Sequence, residues 1–263
     1  MAQGQLITKE RIKLDLEKLG VAEGMTVIAH SSLKSIGRVV GGAVSVILAL
    51  EEVIGESGSL VMPTQTEQLC DPTVYGSDYS EEEVRIIRDG MPIFHPDLTP
   101  TSYMGFIPEI FRKQNGVYRS AHPHVSFAAW GKHAAYITDN HKLNYALSEQ
   151  SPLGKIYELD GYILLLGAPT DSNSSLHLAE YKQQNTFRKE IIWDVKVAID
   201  GEEKWTTYQD INNDSDDFSN LFDSFKKDTN YIVEGKVGAA TSYLIPMRAM
   251  VDYALNWMNT NRA

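Results

Sequence analysis

The run Tyr162-Ile-Leu-Leu-Leu166, entered through Asp160-Gly161 and left through Gly167, decides the fold. It is the most strand-like stretch in the chain, and helical character resumes after the turn, near Ser175 to Tyr181. A strand, a turn and a helix in that order are the building step of an α/β sheet. Working outward, the same step recurs upstream. Met25 to His30 reads as a short buried strand, and from Gly42 to Ile54 the apolar residues Ala43, Val46, Ile47, Leu50 and Val53 return to helical spacing. The segment between them, His30 to Gly41, is expected to be a loop. Ser59 to Met62 is a further strand, stopped by Pro63, so its last residues lie at a sheet end.

A first helix is expected from Thr8 to Leu19, with Ile12, Leu16 and Leu19 on one face and Gly20 ending it. Residues 66 to 101 are polar and rich in Pro, Asp and Glu, which suggests a surface lid or insertion. One helix is expected there, near Ser80 to Arg88, because Ser80 and Glu83 have capping-box spacing. Further helices are read near Tyr103 to Gln114, around His133 to Thr138 and from Ser151-Pro152, with a strand over Ser126 to Trp130. Downstream the style changes. Ile191 to Ile199 and Lys204 to Tyr208 flank the hairpin signal Asp200-Gly201, and an acidic stretch, a helix and a strand containing Tyr231 to Val233 follow. The closing helix starts at Pro246 and carries Met247, Met250, Ala254, Trp257 and Met258 in one stripe. That stripe reads as core, and a homodimer is left open. No internal repeat is visible, so the expected organisation is one domain over residues 1–263 with a β-rich carboxyl-terminal portion.

Composition narrows the function. The 263 residues carry a formal net charge of -11, which argues against a nucleic-acid partner and favours cationic small molecules. The single cysteine, Cys70, has no partner for an internal disulfide and no metal or redox spacing. The opening MAQGQLITKE has no signal-peptide pattern, and no apolar run reaches membrane-spanning length. A soluble, cytoplasmic protein with no membrane partner is expected.

Three stretches carry chemistry. His30-Ser-Ser-Leu-Lys-Ser-Ile-Gly37 sits between a strand and the Gly41-Gly42 that opens a helix, where hydroxyls and free N–H groups suit phosphate oxygens and Lys34 and Arg38 add charge. Hydroxyls that merely satisfy a tight turn are the plain alternative. Asp171-Ser-Asn-Ser-Ser-Leu-His-Leu-Ala-Glu180 places His177 and Glu180 three residues apart. On a helix the carboxylate would orient the imidazole or hold a cationic substrate group, unless the pair simply satisfies itself. Arg119-Ser-Ala-His-Pro-His-Val-Ser-Phe127 is dense in polar side chains, but Pro123 separates His122 from His124 and no metal-type spacing appears.

Together these stretches resemble the aminoglycoside 3-N-acetyltransferase family. Its members share an HSSL-x-S-x-G loop with a following GG, a VMPT strand end, an RS-x-HP-x-x-SF-x-A-x-G segment, an SPLGK element and an LLLGA...H-x-AE block. All five occur here in order, at His30 to Gly37 with Gly41-Gly42, Val61 to Thr64, Arg119 to Gly131, Ser151 to Lys155 and Leu164 to Glu180. The resemblance spans about residues 26 to 182. It implies an α/β fold with a central mixed β-sheet flanked by helices, distinct from the GCN5-type acetyltransferases. It implies acetyl-coenzyme A as co-substrate, no metal, and a small-molecule amine as acceptor, foremost the 3-amino group of a 2-deoxystreptamine aminoglycoside. Carried over by position, His30, Ser31, Ser32 and Ser35 would hold the coenzyme's pyrophosphate. Thr64, Ser126 and Phe127 would lie along its pantetheine arm or acetyl group. His177 would be the catalytic base, supported by Glu180, with transfer direct. Asp71, Asp171 and Glu180 are the acidic groups expected to attract the acceptor. Residues 67 to 100 match nothing assignable to acceptor choice, so another small amine stays open. So do a serine hydrolase, which lacks a G-x-S-x-G elbow here, and a coenzyme-binding protein without catalysis.

Overall fold

The computed structural model describes residues 5–74, 78–183 and 189–262. Strand β1 (Leu6–Ile7) precedes helix α1 (Lys9–Leu19) and strand β2 (Thr26–Ser31). A one-turn helix α2 (Leu33–Ile36) and a two-residue strand β3 (Arg38–Val39) lead to α3 (Gly42–Ile54) and β4 (Ser59–Pro63). Then come α4 (Glu81–Gly90), α5 (Phe106–Phe111), β5 (Tyr118–Arg119), β6 (Phe127–Gly131), α6 (Ala134–Thr138) and α7 (Pro152–Glu158). Strand β7 (Tyr162–Leu166) runs into two 3-10 turns, Thr170–Ser172 and Ser174–Leu176, and then α8 (His177–Lys182). The chain closes with β8 (Glu190–Ile199), β9 (Glu202–Ile211), α9 (Phe218–Asp228), β10 (Val233–Val237), β11 (Ala240–Pro246) and α10 (Met247–Asn261).

Seven strands form one mixed sheet in the order β10-β11-β7-β2-β4-β6-β5. The central strands β7, β2 and β4 are parallel, while β11 and β6 run antiparallel on either side. Alternate residues of each strand face opposite ways, and the two faces bury separate cores. Ile28, Val61, Ile163 and Leu165 join a cluster with residues of α7, α8, α9 and α10. Val27, Ala29, Leu60, Met62, Leu164 and Leu166 join another with α1, α3 and α5. Helices therefore cover both faces, as expected, and the central strands read as unbroken apolar runs for that reason.

Local signals explain most boundaries. The Thr8 side chain accepts from the Arg11 N–H and starts α1. Ser80 and Glu83 form the reciprocal capping box of α4. Four expectations need correction. The segment His30 to Gly41 is not wholly loop, since it contains α2 and β3. The helix expected over Tyr103 to Gln114 is confined to Phe106–Phe111. The strand near Tyr231 begins only at Val233, and β11 was not foreseen. Residues Val237-Gly-Ala-Ala240 carry a tight turn with few β-branched side chains, so composition alone does not mark the returning strand. Within residues 66–101, positions 75–77 lie outside the described residues; α4 has no buried residue, in keeping with a surface segment. It is nevertheless pinned to the β8-β9 hairpin: Arg88 Nη2 meets Asp194 Oδ2 at 3.1 Å and Trp205 Nε1 donates to the Arg88 carbonyl at 3.1 Å. Among the described residues no helix is long and apolar enough to cross a membrane.

Candidate active site

The parallel pairing of β2 and β7 puts His30 opposite Leu165 and Ser31 opposite Leu166. Both chains leave the sheet at the same edge, so the loop after β2 and the loop after β7 face each other. The Ser32 N–H donates to the Leu166 carbonyl at 3.0 Å and stitches the two loops together. Gly167 makes the exit turn at φ +66, where a Cβ would come within 2.7 Å of Ala240 Cβ and 2.9 Å of Ser35 Cβ. A cleft of about 770 Å³ opens above this edge, lined by His30, Ser31, Ser32, Lys34, Asp171 and His177 among others. Its opposite wall includes Gln65, Tyr103 and Phe106.

His177 opens α8. Its Nδ1 lies 2.6 Å from Glu180 Oε2, and its side chain is 17% exposed while that of Glu180 is 4% exposed. A carboxylate accepts only, so Nδ1 donates to it, and His177 itself lines the cleft. The ring rests on Phe218, centroids 5.0 Å apart. The other Glu180 oxygen, Oε1, accepts from the Asp214 N–H at 3.1 Å and from Arg262 Nη1 at 2.6 Å. Thus α8, the segment before α9 and the residue after α10 all converge on one carboxylate.

His30 is buried at the end of β2, and burial, with His177 adding to it, pulls its pKa down to about 4. It is neutral near pH 7, so it can offer a phosphate an N–H but no charge. The His30 Nε2 and Ser31 Oγ atoms are buried without a hydrogen-bond partner among the described residues, and both residues line the cleft. Ser35 donates its hydroxyl to Ser32 Oγ at 2.9 Å and supports the loop without lining the cleft.

Other expected site residues lie elsewhere. Thr64 and Ser126 are fully buried, their hydroxyls 3.1 Å apart, and Phe127 belongs to the core. Arg119 explains the first two. Its Nε donates to Ser126 Oγ at 3.1 Å, Nη2 to the Thr64 carbonyl at 2.8 Å, and Nη1 to the carbonyls of Pro96 and Thr99. Gln65, the next residue after Thr64, reaches the cleft instead. Asp71 is 1% exposed and engaged with Arg88 and Thr73, outside the cleft. Asp171 does line it. The histidines His122, His124 and His141 form a buried cluster rather than a metal site. The Nε2 of each meets a backbone carbonyl, of Leu143, Leu69 and Ala146 respectively. Among the described residues no group of three or more His, Cys, Asp or Glu could hold a metal ion. Sequence reasoning missed Gln65, Tyr103, Phe218 and Arg262. None sits in a recognisable motif, and only the folded chain brings them to His177 and the cleft.

Residues 28–259 match the family model described as aminoglycoside 3-N-acetyltransferase. The SPbeta prophage-derived aminoglycoside N(3')-acetyltransferase-like protein YokD of Bacillus subtilis (strain 168) is 43% identical over 97% of this chain and 93% of its own. Its crystal structure gives a TM-score of 0.95 over 99% of this chain and 96% of that one. Aminoglycoside N(3)-acetyltransferase IX of Micromonospora chalcea is 31% identical over 97% of this chain and 94% of its own. AAC-IIIb, solved as a binary complex with CoASH, gives a TM-score of 0.87 at 27% identity over 97% of each chain. With the family model matched over most of its length and relatives of 31–43% identity along nearly the whole chain, the chain belongs to the aminoglycoside 3-N-acetyltransferase family, whose fold is not that of the GCN5-type enzymes.

Proposed function

We propose that this protein transfers the acetyl group of acetyl-coenzyme A directly to an amine, foremost the 3-amino group of a 2-deoxystreptamine aminoglycoside, with His177 as general base. The observation that carries this reading is the His177–Glu180 pair, which opens into the same cleft as Ser31, Ser32 and Lys34. The loop suits the coenzyme: Ser31 Oγ and His30 Nε2 are buried polar atoms without partners, and Lys34 adds positive charge. The bound thioester supplies an activated acetyl group and a thiolate leaving group. What the protein adds is proton management. A protonated amine has no lone pair, so the neutral amine is the nucleophile; His177 Nε2 takes its N–H proton as the nitrogen attacks the thioester carbonyl and gives it up to the departing thiolate, while Glu180 holds the ring and steadies the imidazolium. Asp171 offers a carboxylate to a cationic acceptor. Cys70 lies outside the cleft lining, which favours direct transfer over an acetyl-cysteine. A cytoplasmic setting, where acetyl-coenzyme A is available, and a role in antibiotic resistance belong to the same reading.

One observation favours a second reading, an amine with fewer positive charges. Of the two aspartates expected to recruit the acceptor, only Asp171 lines the cleft. A thiol-release assay with acetyl-coenzyme A and a panel of amines, comparing wild type with His177→Ala, decides between them. Release that needs both an aminoglycoside and His177 supports the first reading. Release with a different amine replaces the acceptor and keeps the chemistry. Silence across the panel with coenzyme binding intact leaves a binding protein and sinks both.

A further inference from the structure

Arg262 follows α10 and lies beyond residues 28–259, the range that matches the family model. Its guanidinium is nearly enclosed, with 14% of the side chain exposed. Every edge of the fork is used. Nη1 donates to Glu180 Oε1 at 2.6 Å, Nε to Asp217 Oδ2 at 2.7 Å, and Nη2 to Asp217 Oδ1 at 2.5 Å and to the Asp214 carbonyl at 2.8 Å. It also lies over Phe218, 5.8 Å from the ring centroid, on the ring that supports His177. Burial opposes its charge, but hydrogen bonds to Asp217 and Glu180 outweigh burial and push its pKa up. The guanidinium is therefore a permanent cation.

We propose that Arg262 is a positioning residue for the base. By occupying Glu180 Oε1 it leaves Oε2 as the oxygen that faces His177, and so fixes both the ring's orientation and the tautomer with its lone pair on Nε2. The proposal rests on the reading of His177 as base. A carboxylate has two oxygens and can swing about its last bond. Asp214 N–H and Arg262 Nη1 both hold Oε1, so the pair cannot exchange roles without breaking two bonds. Asp217 in turn fixes the guanidinium bidentately, which a lysine ammonium has no geometry to reproduce. The side chain that orients the site thus comes from outside the sequence region that carries the family signature.

The test uses the full-length protein with ¹⁵N-labelled histidine and reads the His177 tautomer by long-range ¹H–¹⁵N NMR, with no acceptor needed. Wild type is expected to show the Nδ1–H form. In Arg262→Gln the Nε2–H form is expected to become populated, with kcat down about 10- to 100-fold and the KM for acetyl-coenzyme A unchanged. Arg262→Lys is expected to fall between. The same tautomer and kcat in Arg262→Gln as in wild type would overturn the proposal. Should Arg262→Gln not fold, Asp217→Asn removes the charged bidentate hold on the guanidinium and so frees it to leave Glu180 Oε1. A tautomer shift there supports the proposal, and an unmoved tautomer overturns it. Undiminished thiol release by His177→Ala, in contrast, would overturn the base reading itself, whatever the NMR shows.

Discussion

His124 Nδ1 lies 2.8 Å from the Tyr208 hydroxyl, and its Nε2 lies 3.2 Å from the Leu69 carbonyl. The carbonyl can only accept, so Nε2 carries the hydrogen and Nδ1 accepts from Tyr208. His122 repeats the pattern, its Nδ1 accepting the N–H groups of His124 and Val125, and His141 Nδ1 faces Ser120 Oγ at 2.9 Å. A proton added at His122 Nδ1 would point at two N–H donors, and one added at His124 or His141 would force the facing hydroxyl to turn round. Burial lowers the pKa of His124 and of His141 to about 4, and that of His122 well below its ordinary value. Folded values below the unfolded ones mean that this stability is complete above about pH 6.5 and is lost as pH falls from there toward 4. Thermal melts are expected to show Tm falling steeply between pH 6.5 and 4.5, on the order of 1–3 kcal/mol per histidine. A flat Tm across that range would contradict the assignment of neutral tautomers.

Glu180→Gln keeps the shape of the side chain and removes its charge. The imidazolium formed during proton transfer then loses its counter-charge. The expected result is a kcat about 10- to 100-fold lower, with the KM for acetyl-coenzyme A unchanged. Steady-state thiol release checks it, and an unaltered kcat would leave Glu180 with a structural part only.

Ser31 and Lys34 separate binding from stability. The Ser31 hydroxyl has no hydrogen-bond partner among the described residues, so Ser31→Ala should leave Tm unchanged. Its KM for acetyl-coenzyme A should rise about 5-fold, the loss of one net hydrogen bond. Lys34→Ala should raise the KM as well, and added salt should shrink the difference from wild type. Titration calorimetry with coenzyme A gives an independent reading of both.

Gly154 is a close-approach position within α7. A Cβ there would sit 1.9 Å from the Glu149 carbonyl oxygen, so the 141–150 segment would have to move. Gly154→Ala is expected to cost about 3 kcal/mol in urea unfolding. Gly90, where a Cβ meets nothing within 4 Å, is the control, and Gly90→Ala should be neutral or slightly stabilising. Equal effects at the two positions would refute the steric account.

The residues that were legible share a property: their signal is local. Thr8, the Ser80–Glu83 pair and Tyr162 to Leu166 announce a cap, a capping box and a strand within a few positions of sequence. His177 and Glu180 are likewise readable, because three residues on a helix is a contact. Thr64, Ser126 and Asp71 show the opposite case. A short polar side chain near a strand end can face a ligand or a guanidinium, and here Arg119 engages Thr64 and Ser126 from 55 and 7 residues away while Arg88 engages Asp71 from 17. Arg262 was illegible for the same reason, since its partner Glu180 is 82 residues distant. Strand β11 hid because a glycine-alanine turn conceals a return that only the sheet ladder reveals.

The Ser31–Leu166 rung links the loop proposed to hold the coenzyme to the turn that leads to His177, the proposed base. Five backbone rungs hold β2 to β7, with both strands in the middle of the sheet. Their amides should therefore resist exchange with heavy water until the whole sheet opens. The two halves of the chemistry then share one lifetime: partial fraying that spares one while disabling the other is excluded, and any folded molecule carries a complete cleft floor.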